Sequence, residues 1–366
     1  MKILHVVGAR PNFMKVAPVL AALRKSGGVE QILVHTGQHY DPALSDVFFR
    51  DLGMPEPDVH LGAGSGTHAQ QTARVMTEIE PIIERHRPDA VVVAGDVNST
   101  VAVALVAAKA LAPLAHIEAG LRSGDWTMPE EVNRAVTDRL AALLFTPSRD
   151  ADANLRAEGA DPSRIHFVGN VMIDSLRAAL PRAEERKVHD QLGLARGGYA
   201  LATLHRPANV DDPAVLDRLL AALGAIALTL PVVLPAHPRT RARLGPRRPD
   251  AAAALRIVEP LGYLDFLALA AHARLVLTDS GGVQEETTAL GVPCLTLREN
   301  TERPVTISEG TNTLVGRDPE RIVSAAAAVI EGRGKKGRVP ELWDGKAAER
   351  IAEVLVRFCA ARRTRP

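Results

Sequence analysis

Residues 275–286 read LVLTDSGGVQEE, an apolar run that leads through small residues into a helical pattern. The run Leu275–Thr278 predicts a buried strand, and Ser280-Gly281-Gly282 predicts a tight turn that begins a helix. Backbone N–H groups and the positive end of the helix dipole at such a turn attract phosphate groups. Ser280 can add a hydroxyl donor, and Glu286, one turn into the helix, could reach a ribose hydroxyl. The simpler alternative is a capped helix start that binds nothing.

The same alternation of an apolar run and a helical pattern recurs along the chain. In the first half the apolar runs are Ile3–Val7, Gln31–His35, Ala90–Ala94, Leu114–Ile117, Leu143–Thr146 and Ile165–Val168. In the second half they are Ala200–Leu204, Val232–Leu234, Arg256–Val258, Leu275–Thr278 and Leu295–Leu297. Helical patterns lie between them, for example Gln70–Arg85, Glu131–Leu143, Val215–Leu228 and Leu264–Ala273. Near-continuous apolar strands are covered on both faces, so the sequence predicts an α/β fold with doubly wound parallel sheets.

The length of 366 residues favours two Rossmann-like domains over one. The charged stretch Arg182–Asp190 separates the two series of strands, so we place the boundary near residues 170–185. This gives an N-terminal domain over residues 1–175 and a C-terminal domain over residues 176–345. A last helix is predicted over residues 346–363, and it could pack back on the first domain.

The composition is that of an ordinary globular protein, with 46% hydrophobic residues, 24% charged residues and a formal net charge of +1. No basic face is indicated, so a nucleic-acid partner is not expected. No apolar stretch reaches the roughly 18 residues that a membrane span needs, and no signal peptide is recognised. We therefore expect a cytoplasmic protein without a membrane partner. Cys294 and Cys359 make no disulfide framework.

Polar and charged residues follow six of the predicted strands. They are Gly8-Ala9-Arg10, Gly95-Asp96, Glu118-Ala119-Gly120, His205-Arg206, His237 and Asp279-Ser280-Gly281-Gly282. Any one of them could be a cap or a turn, but a scaffold alone explains all six poorly. Ligands of open parallel sheets bind outside the carboxyl ends of the strands. We therefore expect a cleft between two facing domains, lined by these residues.

The charges expected in this cleft are of both signs. Arg10 and Lys15 from the first half, with His205-Arg206 from the second, suit a diphosphate. The carboxylates expected beside them would repel an anionic ligand, so they indicate proton chemistry. These carboxylates are Asp96, Glu118, Glu130 and Glu131, accompanied by Arg122 and Arg134. For Glu130-Glu131 a second explanation stays open, because acids favour a helix start after proline.

The sequence indicates neither a metal ion nor a dinucleotide cofactor. No two histidines have zinc spacing next to an acid, and Asp96-Val97-Asn98 lacks the second acid of a metal-binding pair. Gly62-Ala63-Gly64-Ser65-Gly66 lacks the last glycine of the dinucleotide fingerprint and does not directly follow a long apolar strand.

Taken together, the motifs closely resemble those of the non-hydrolysing UDP-N-acetylglucosamine 2-epimerases. The resemblance runs from about residue 2 to about residue 330. The residues that carry it are Gly8-Ala9-Arg10-Pro11, Gly37-Gln38-His39, Gly95-Asp96, residues 116–122 (HIEAGLR), residues 129–134 (PEEVNR), Gly169-Asn170, His205-Arg206, residues 278–286 (TDSGGVQEE) and residues 301–304 (TERP).

This resemblance implies a glycosyltransferase-B-like fold of two Rossmann-like domains, a homodimer, and no metal or redox cofactor. It also implies interconversion of UDP-GlcNAc and UDP-ManNAc. UDP is eliminated across C1–C2 to give 2-acetamidoglucal, and UDP is then re-added. Because the C2 proton is only weakly acidic, this route needs a base, cations on the departing diphosphate and a closed site.

The resemblance also assigns roles to individual residues. It implies catalytic roles for Asp96, Glu118, Glu130 and His205. It implies substrate contacts for Arg10, Lys15, Arg134, Ser280, Gly281, Gly282, Glu286 and Arg303. Which carboxylate acts as base on each face stays open. Many members have Glu where this chain has Asn12, Ala208 and Val305, so the exact sugar also stays open.

Several alternatives share these features. The enzyme could act on another 2-acetamido UDP-sugar, could release free ManNAc as a hydrolysing epimerase, or could be a UDP-sugar glycosyltransferase of the same fold. A transferase needs at most one base, so the three carboxylates Asp96, Glu118 and Glu130 argue against this alternative. A catalytically inactive nucleotide-sugar sensor would not need the carboxylates at all. Some members bind a second UDP-GlcNAc as activator, and residues 40–43 leave this question open.

Overall fold

The computed structural model describes residues 1–37, 51–236, 238–244 and 255–363. The Gln38-His39 motif, residues 40–43 and His237 lie outside the described residues, as does the side chain of Arg10. The chain forms two compact units, one made of Met1–Arg177 with Glu341–Pro366 and the other of Ala178–Pro340. Each unit contains its own parallel sheet with helices.

The first unit is built on a seven-stranded parallel sheet with the order β3-β2-β1-β4-β5-β6-β7. Its strands are β1 (Lys2–Val7), β2 (Glu30–His35), β3 (Val59–His60), β4 (Ala90–Ala94), β5 (Leu114–Ile117), β6 (Leu143–Thr146) and β7 (Ile165–Phe167). Its helices are α1 (Arg10–Ser26), α2 (His68–His86), α3 (Asn98–Lys109), α4 (Pro129–Leu140), α5 (Arg149–Ala157) and α6 (Val171–Glu185), the last of which continues into the second unit.

The second unit is built on a six-stranded parallel sheet with the order β10-β9-β8-β11-β12-β13. Its strands are β8 (Ala200–Thr203), β9 (Val232–Pro235), β10 (Leu255–Val258), β11 (Leu275–Thr278), β12 (Cys294–Thr296) and β13 (Asn312–Leu314). Its helices are α7 (Val188–Gln191), α8 (Pro207–Val210), α9 (Pro213–Ala227), α10 (Pro238–Leu244), α11 (Tyr263–His272), α12 (Gly281–Leu290), α13 (Pro304–Ser308) and α14 (Pro319–Ile330).

The predicted class, α/β with two doubly wound parallel sheets, is confirmed. Each predicted apolar run is found as a strand, with ends that differ by a residue or so. The sequence missed β3 and β13, because strands of two and three residues form no recognisable apolar run. Helix α4 starts at Pro129 rather than at Glu131, because proline fits the first helical position.

Local sequence explains how the helices pack. Helix α3 reads NSTVAVALVAAK, and nine of its residues are buried. Its alanines and valines are small enough to let the helix lie close to the sheet and to neighbouring helices. Helix α2 instead has a single apolar face, with Val75, Ile79 and Ile83 buried and charged residues outside. No helix among the described residues is long and apolar enough to cross a membrane.

The last helix, α15 (Ala347–Arg363), belongs to the first unit and packs against α1. Asp174 on α6 accepts hydrogen bonds from the backbone N–H groups of Ala347 (3.2 Å) and Ala348 (2.8 Å) at the start of that helix. Trp343, just before it, is buried and donates to the carbonyl of Pro147 at 2.9 Å. These contacts fasten the end of the chain to the first unit.

The strand order reverses between β1 and β4 in the first sheet, and between β8 and β11 in the second. Open parallel sheets bind ligands at the carboxyl ends of strands beside such a reversal. The segments that follow these four strands are Gly8-Ala9-Arg10, Gly95-Asp96, His205-Arg206 and Asp279-Ser280. The fold therefore places the polar residues singled out in the sequence at the reversal point of each sheet.

Candidate active site

Lys15 and Glu118 form a buried ion pair in the first unit, with side chains only 6% and 5% exposed. Lys15 comes from α1 and Glu118 from the end of β5. Gly95 lies directly against the pair, and a Cβ atom there would stand 2.8 Å from Lys15 Nζ and 3.3 Å from Glu118 Oε2. Gly95 also has a φ of +66°, which glycine adopts without steric cost. A side chain at position 95 would therefore displace the pair and strain the backbone.

Asn12 ties the turn after β1 to the end of β4. Its Oδ1 accepts from the N–H groups of Gly8 and Ala9, both at 3.1 Å, and its Nδ2 donates to the carbonyl of Ala94 at 2.7 Å. A glutamate at this position has no hydrogen to donate to Ala94. The neutral amide also leaves Glu118 as the carboxylate that pairs with Lys15.

Arg134 on α4 joins two carboxylates. One guanidinium nitrogen binds Asp96, and the other lies 2.6 Å from Glu131 Oε2. Asp96 keeps 24% of its side chain exposed, whereas the Arg134 side chain is 2% exposed. The structure thus holds Asp96 from one side and leaves part of its carboxylate accessible.

Glu131 was predicted as one of the carboxylates of the cleft, but its role as a partner of Arg134 was not predicted. Burial opposes its charge, but hydrogen bonds from Arg134 and from the N–H groups of Ser123 and Gly124 lower the pKa of Glu131 below its usual range. It is therefore a charged anchor for Arg134. Acids after proline are common at helix starts, so only the spacing to Arg134 three residues later could have indicated this role.

Glu130 precedes this anchor on α4 and is half-buried. Among the described residues, no hydrogen bond or ion pair joins it to Asp96 or Glu118. The structure thus pairs Asp96 with Arg134 and Glu118 with Lys15. It joins Glu130 to neither of these carboxylates. The catalytic role of Glu130 stays a prediction.

Glu118 has an unusual backbone, with a φ of +71°. For a residue that is not glycine this left-handed conformation costs about 1–2 kcal/mol. The N–H groups of Glu118 and Ala119 both donate to the carbonyl of Phe145, at 3.1 and 3.0 Å, which holds the turn in place. Such strain persists where the surroundings over-determine the conformation, and it is concentrated at functional sites.

In the second unit, Asp279 orients His205. Asp279 Oδ1 lies 2.8 Å from His205 Nδ1, and the N–H groups of His205 and Arg206 and the amide of Asn209 also donate to this carboxylate. Burial would raise the pKa of Asp279, but the hydrogen bond and charge of His205, with these donors, lower it. The position of Asp279 after an apolar strand predicted a polar strand end, but not this role. His205 itself is 37% exposed at its side chain and can reach a ligand.

Three arginines surround Glu302. Arg303, Arg298 and Arg206 approach its carboxylate at 2.6, 2.8 and 3.4 Å. Burial alone would raise the pKa of Glu302, but these three charges lower it well below its usual range. Arg303 also binds Glu285 at 2.9 Å, so three cations stand against two carboxylates. The cluster keeps an excess positive charge, and it holds Arg303 in a buried position.

The turn at the start of α12 lies against this cluster. A Cβ atom on Gly281 would stand 2.5 Å from Arg303 Nη1 and 2.8 Å from Glu302 Oε1, so a larger residue there would displace these side chains. Ser280 is the N-cap residue, but its hydroxyl does not cap the helix. The first-turn N–H groups of this ten-residue helix and the Ser280 hydroxyl suit an anionic ligand. Gly282 continues the same turn.

Glu286 follows on α12 and is only 4% exposed. Burial raises the pKa of Glu286 to about 7, which a hydrogen bond with Tyr263 opposes and the charge of Glu285 supports. The predicted contact of Glu286 with a ribose hydroxyl is not tested by this arrangement and stays a prediction. Among the described residues, no three His, Cys, Asp or Glu side chains are grouped as metal ligands would be.

Residues 21–356 match a protein family described as UDP-N-acetylglucosamine 2-epimerase. The chain belongs to this family. The resemblance noted in the sequence is therefore confirmed.

Relatives of known sequence and structure cover almost the whole chain. UDP-2,3-diacetamido-2,3-dideoxy-D-glucuronate 2-epimerase of Pseudomonas aeruginosa is 43% identical over 98% of this chain and 100% of its own length. UDP-N-acetylglucosamine 2-epimerase of Methanocaldococcus jannaschii is 39% identical over 97% of this chain and 99% of its own. A crystal structure of the M. jannaschii UDP-GlcNAc 2-epimerase with UDP-GlcNAc and UDP superimposes with a TM-score of 0.90 at 40% identity, covering 98% of this chain and 100% of that one. The glycosyltransferase-B-like fold class is thereby confirmed.

Proposed function

We propose that this epimerase interconverts UDP-GlcNAc and UDP-ManNAc by elimination and re-addition of UDP. The observation that carries the proposal is the pair of carboxylates, Asp96 and Glu118, at the ends of the adjacent strands β4 and β5. Each is bound to a buried cation, Arg134 and Lys15 respectively. A site that only binds an anionic nucleotide sugar gains nothing from two carboxylates, whereas proton removal at C2 needs a base.

In the proposed reaction a carboxylate removes the C2 proton. The C2–H electron pair forms the C1–C2 double bond, and UDP leaves with the electron pair of the C1–O bond. Protonation of 2-acetamidoglucal on the opposite face, with return of the UDP oxygen to C1, gives the epimer. Which carboxylate serves each face stays open, and so does the part of Glu130.

The second unit would bind the UDP part of the substrate. The α12 turn offers backbone N–H groups and the Ser280 hydroxyl to the diphosphate, beside an arginine cluster of excess positive charge. His205, oriented by Asp279, would stabilise the charge that develops on the departing diphosphate. That this turn and the carboxylates of the first unit face one ligand stays a prediction, as do a homodimer and a cytoplasmic location.

A second candidate substrate is UDP-2,3-diacetamido-2,3-dideoxy-D-glucuronate. It is favoured by the 43% identity with the Pseudomonas enzyme of that name, slightly above the 39% with the M. jannaschii enzyme. The reaction at C2 would be the same. Asn12, Ala208 and Val305, where many members have Glu, are consistent with a site adapted to a different sugar.

Proton NMR in deuterated water tests both candidates. The protein is incubated separately with UDP-GlcNAc and with the diacetamido-glucuronate, and the C2 signal is followed. We expect UDP-ManNAc carrying deuterium at C2. Exchange only with the glucuronate would move the assignment to the second candidate, and free ManNAc would indicate hydrolysis. No change at C2 of UDP-GlcNAc, with or without further UDP-GlcNAc as activator, would refute the proposed substrate.

A further inference from the structure

His116 and Asp138 form a buried pair behind the strand ends that carry Asp96 and Glu118. His116 lies on β5 and is fully buried, and Asp138 lies on α4. His116 Nδ1 is 2.6 Å from Asp138 Oδ1, and His116 Nε2 is 2.8 Å from the carbonyl oxygen of Gly95. One imidazole therefore connects α4 to the residue before Asp96.

The partners decide the direction of both hydrogen bonds. A carbonyl oxygen only accepts, so His116 Nε2 donates to Gly95. The carboxylate of Asp138 also accepts from Gly120 N–H at 3.0 Å and faces Arg122 at 2.8 Å. Burial alone would raise the pKa of Asp138, but His116 and Arg122 lower it, so this carboxylate accepts from His116 Nδ1 as well. These partners therefore use both ring nitrogens of His116 as donors.

The same helix holds the Gly95-Asp96 segment at two further points. The Asn133 side chain donates to the carbonyl of Asp96 at 2.8 Å, and Arg134 binds the Asp96 carboxylate. Together with the bond to Gly95 from His116 on β5, two consecutive carbonyl groups and one carboxylate are held by α4 and by the residue paired with Asp138. The orientation of Asp96 therefore depends on the Gly95 carbonyl being held.

Asp138 also reaches the end of β5. It accepts from the N–H group of Gly120, two residues after Glu118. Glu118 is the residue with a φ of +71°, a conformation that must be maintained by its surroundings. The His116–Asp138 pair thus contacts the backbone beside both carboxylates.

We propose that His116, with Asp138, is a positioning residue that holds the carboxylates of Asp96 and Glu118 in the orientation needed for proton transfer. The proposal rests on the proposed function for what these carboxylates do. A misplacement of about 1 Å in a reacting group can cost about 10²-fold in rate. Loss of the pair therefore lowers turnover, while UDP affinity, assigned to the second unit, stays unchanged.

The test replaces His116 with leucine, which removes both donors. The matched control is His5→Leu, which removes another fully buried histidine from β1 of the same sheet. We expect His116→Leu to lower kcat about 10- to 100-fold with unchanged UDP affinity by calorimetry. The kinetic isotope effect with substrate deuterated at C2 should rise, because proton removal becomes the slow step. His5→Leu should keep the wild-type kcat and isotope effect.

If His116→Leu does not fold, a comparison of two Asp138 variants tests the same proposal. Asp138→Asn can still accept from Gly120 and can donate to His116 Nδ1, which leaves Nε2 to donate to Gly95. Asp138→Ala can do neither. We expect kcat of Asp138→Asn to stay well above that of Asp138→Ala, which should lose about tenfold or more. Equal kcat values for these two variants would overturn the proposal.

Hydrogen exchange of the backbone amides of residues 94–98 needs no substrate and so separates this proposal from the proposed function. We expect faster exchange in His116→Leu than in His5→Leu. Unchanged exchange, or an unchanged kcat and isotope effect in His116→Leu, would refute the positioning role. A wild-type protein that turns over no 2-acetamido UDP-sugar would refute the proposed function alone, since the exchange result still decides whether His116 holds the strand end.

Discussion

Replacing Glu286 with glutamine should make the protein more stable at alkaline pH. Glu286 is only 4% exposed, and burial raises its pKa to about 7 from a usual value of 4.5. The folded protein therefore favours the protonated carboxyl, which has no charge to bury. Glutamine is neutral at every pH and has nearly the same shape, so it removes the cost of that charge without leaving a cavity.

The magnitude follows from the difference between the two pKa values. The stabilising effect of protonated Glu286 is fully present below pH 4.5 and is lost as the pH rises through about 7. A difference of 2.5 units (7 minus 4.5) corresponds to about 3 kcal/mol, since each unit contributes about 1.4 kcal/mol. Glu286→Gln should therefore exceed the wild type by about 3 kcal/mol in unfolding free energy at pH 8, and the gain should fall toward zero near pH 4.5.

Urea unfolding at several pH values between 4.5 and 8 measures this gain as the difference between variant and wild type. Other titrating groups contribute equally to both proteins and cancel in the difference. Glu185→Gln, which changes an exposed glutamate of α6, is the control and should differ from wild type by less than about 0.5 kcal/mol at each pH. A gain for Glu286→Gln that is the same at pH 5 and pH 8 would refute the argument.

Three further substitutions test the candidate site. Asp96→Asn should lower kcat by about 10²–10⁴, the usual effect of removing a general base, and near-wild-type turnover would remove Asp96 from the mechanism. Gly95→Ala places a Cβ atom 2.8 Å from Lys15 Nζ at a φ of +66°, so both the thermal midpoint and kcat should fall; an unchanged midpoint would show that the pair can shift. Asp279→Ala removes the acceptor that orients His205, so kcat should fall by a larger factor than UDP affinity. Equal factors for kcat in an activity assay and for affinity in a UDP titration would contradict this expectation.

The sequence predicted the strands well because both sheets are buried on both faces and their strands are near-continuous apolar runs. It also predicted which residues stand at the strand ends. It could not predict the short strands β3 and β13, whose pairing is decided by neighbours in the sheet rather than by their own residues.

The sequence predicted which residue types form the candidate site, but it did not predict which side chains pair with one another. Lys15 was expected to bind substrate, and its carboxylate partner Glu118 lies 103 positions away in the chain. Arg303 was expected beside the substrate and is found buried between Glu302 and Glu285. Asp138 was missed as a site residue, and the pairing roles of Glu131 and Asp279 were not predicted, because these roles come from contacts that no local pattern specifies.

The position of α15 in the first unit has a consequence for synthesis of the chain on the ribosome. Residues 1–177 emerge first, but the helix that packs on α1 begins at Ala347, after the second unit. Its first N–H groups, which donate to Asp174, are made at the same late point. Domains generally fold as units during synthesis, in chain order. Here the residues of the second unit are synthesised before α15, so the second unit can be completed while α1 still lacks the helix that packs against it.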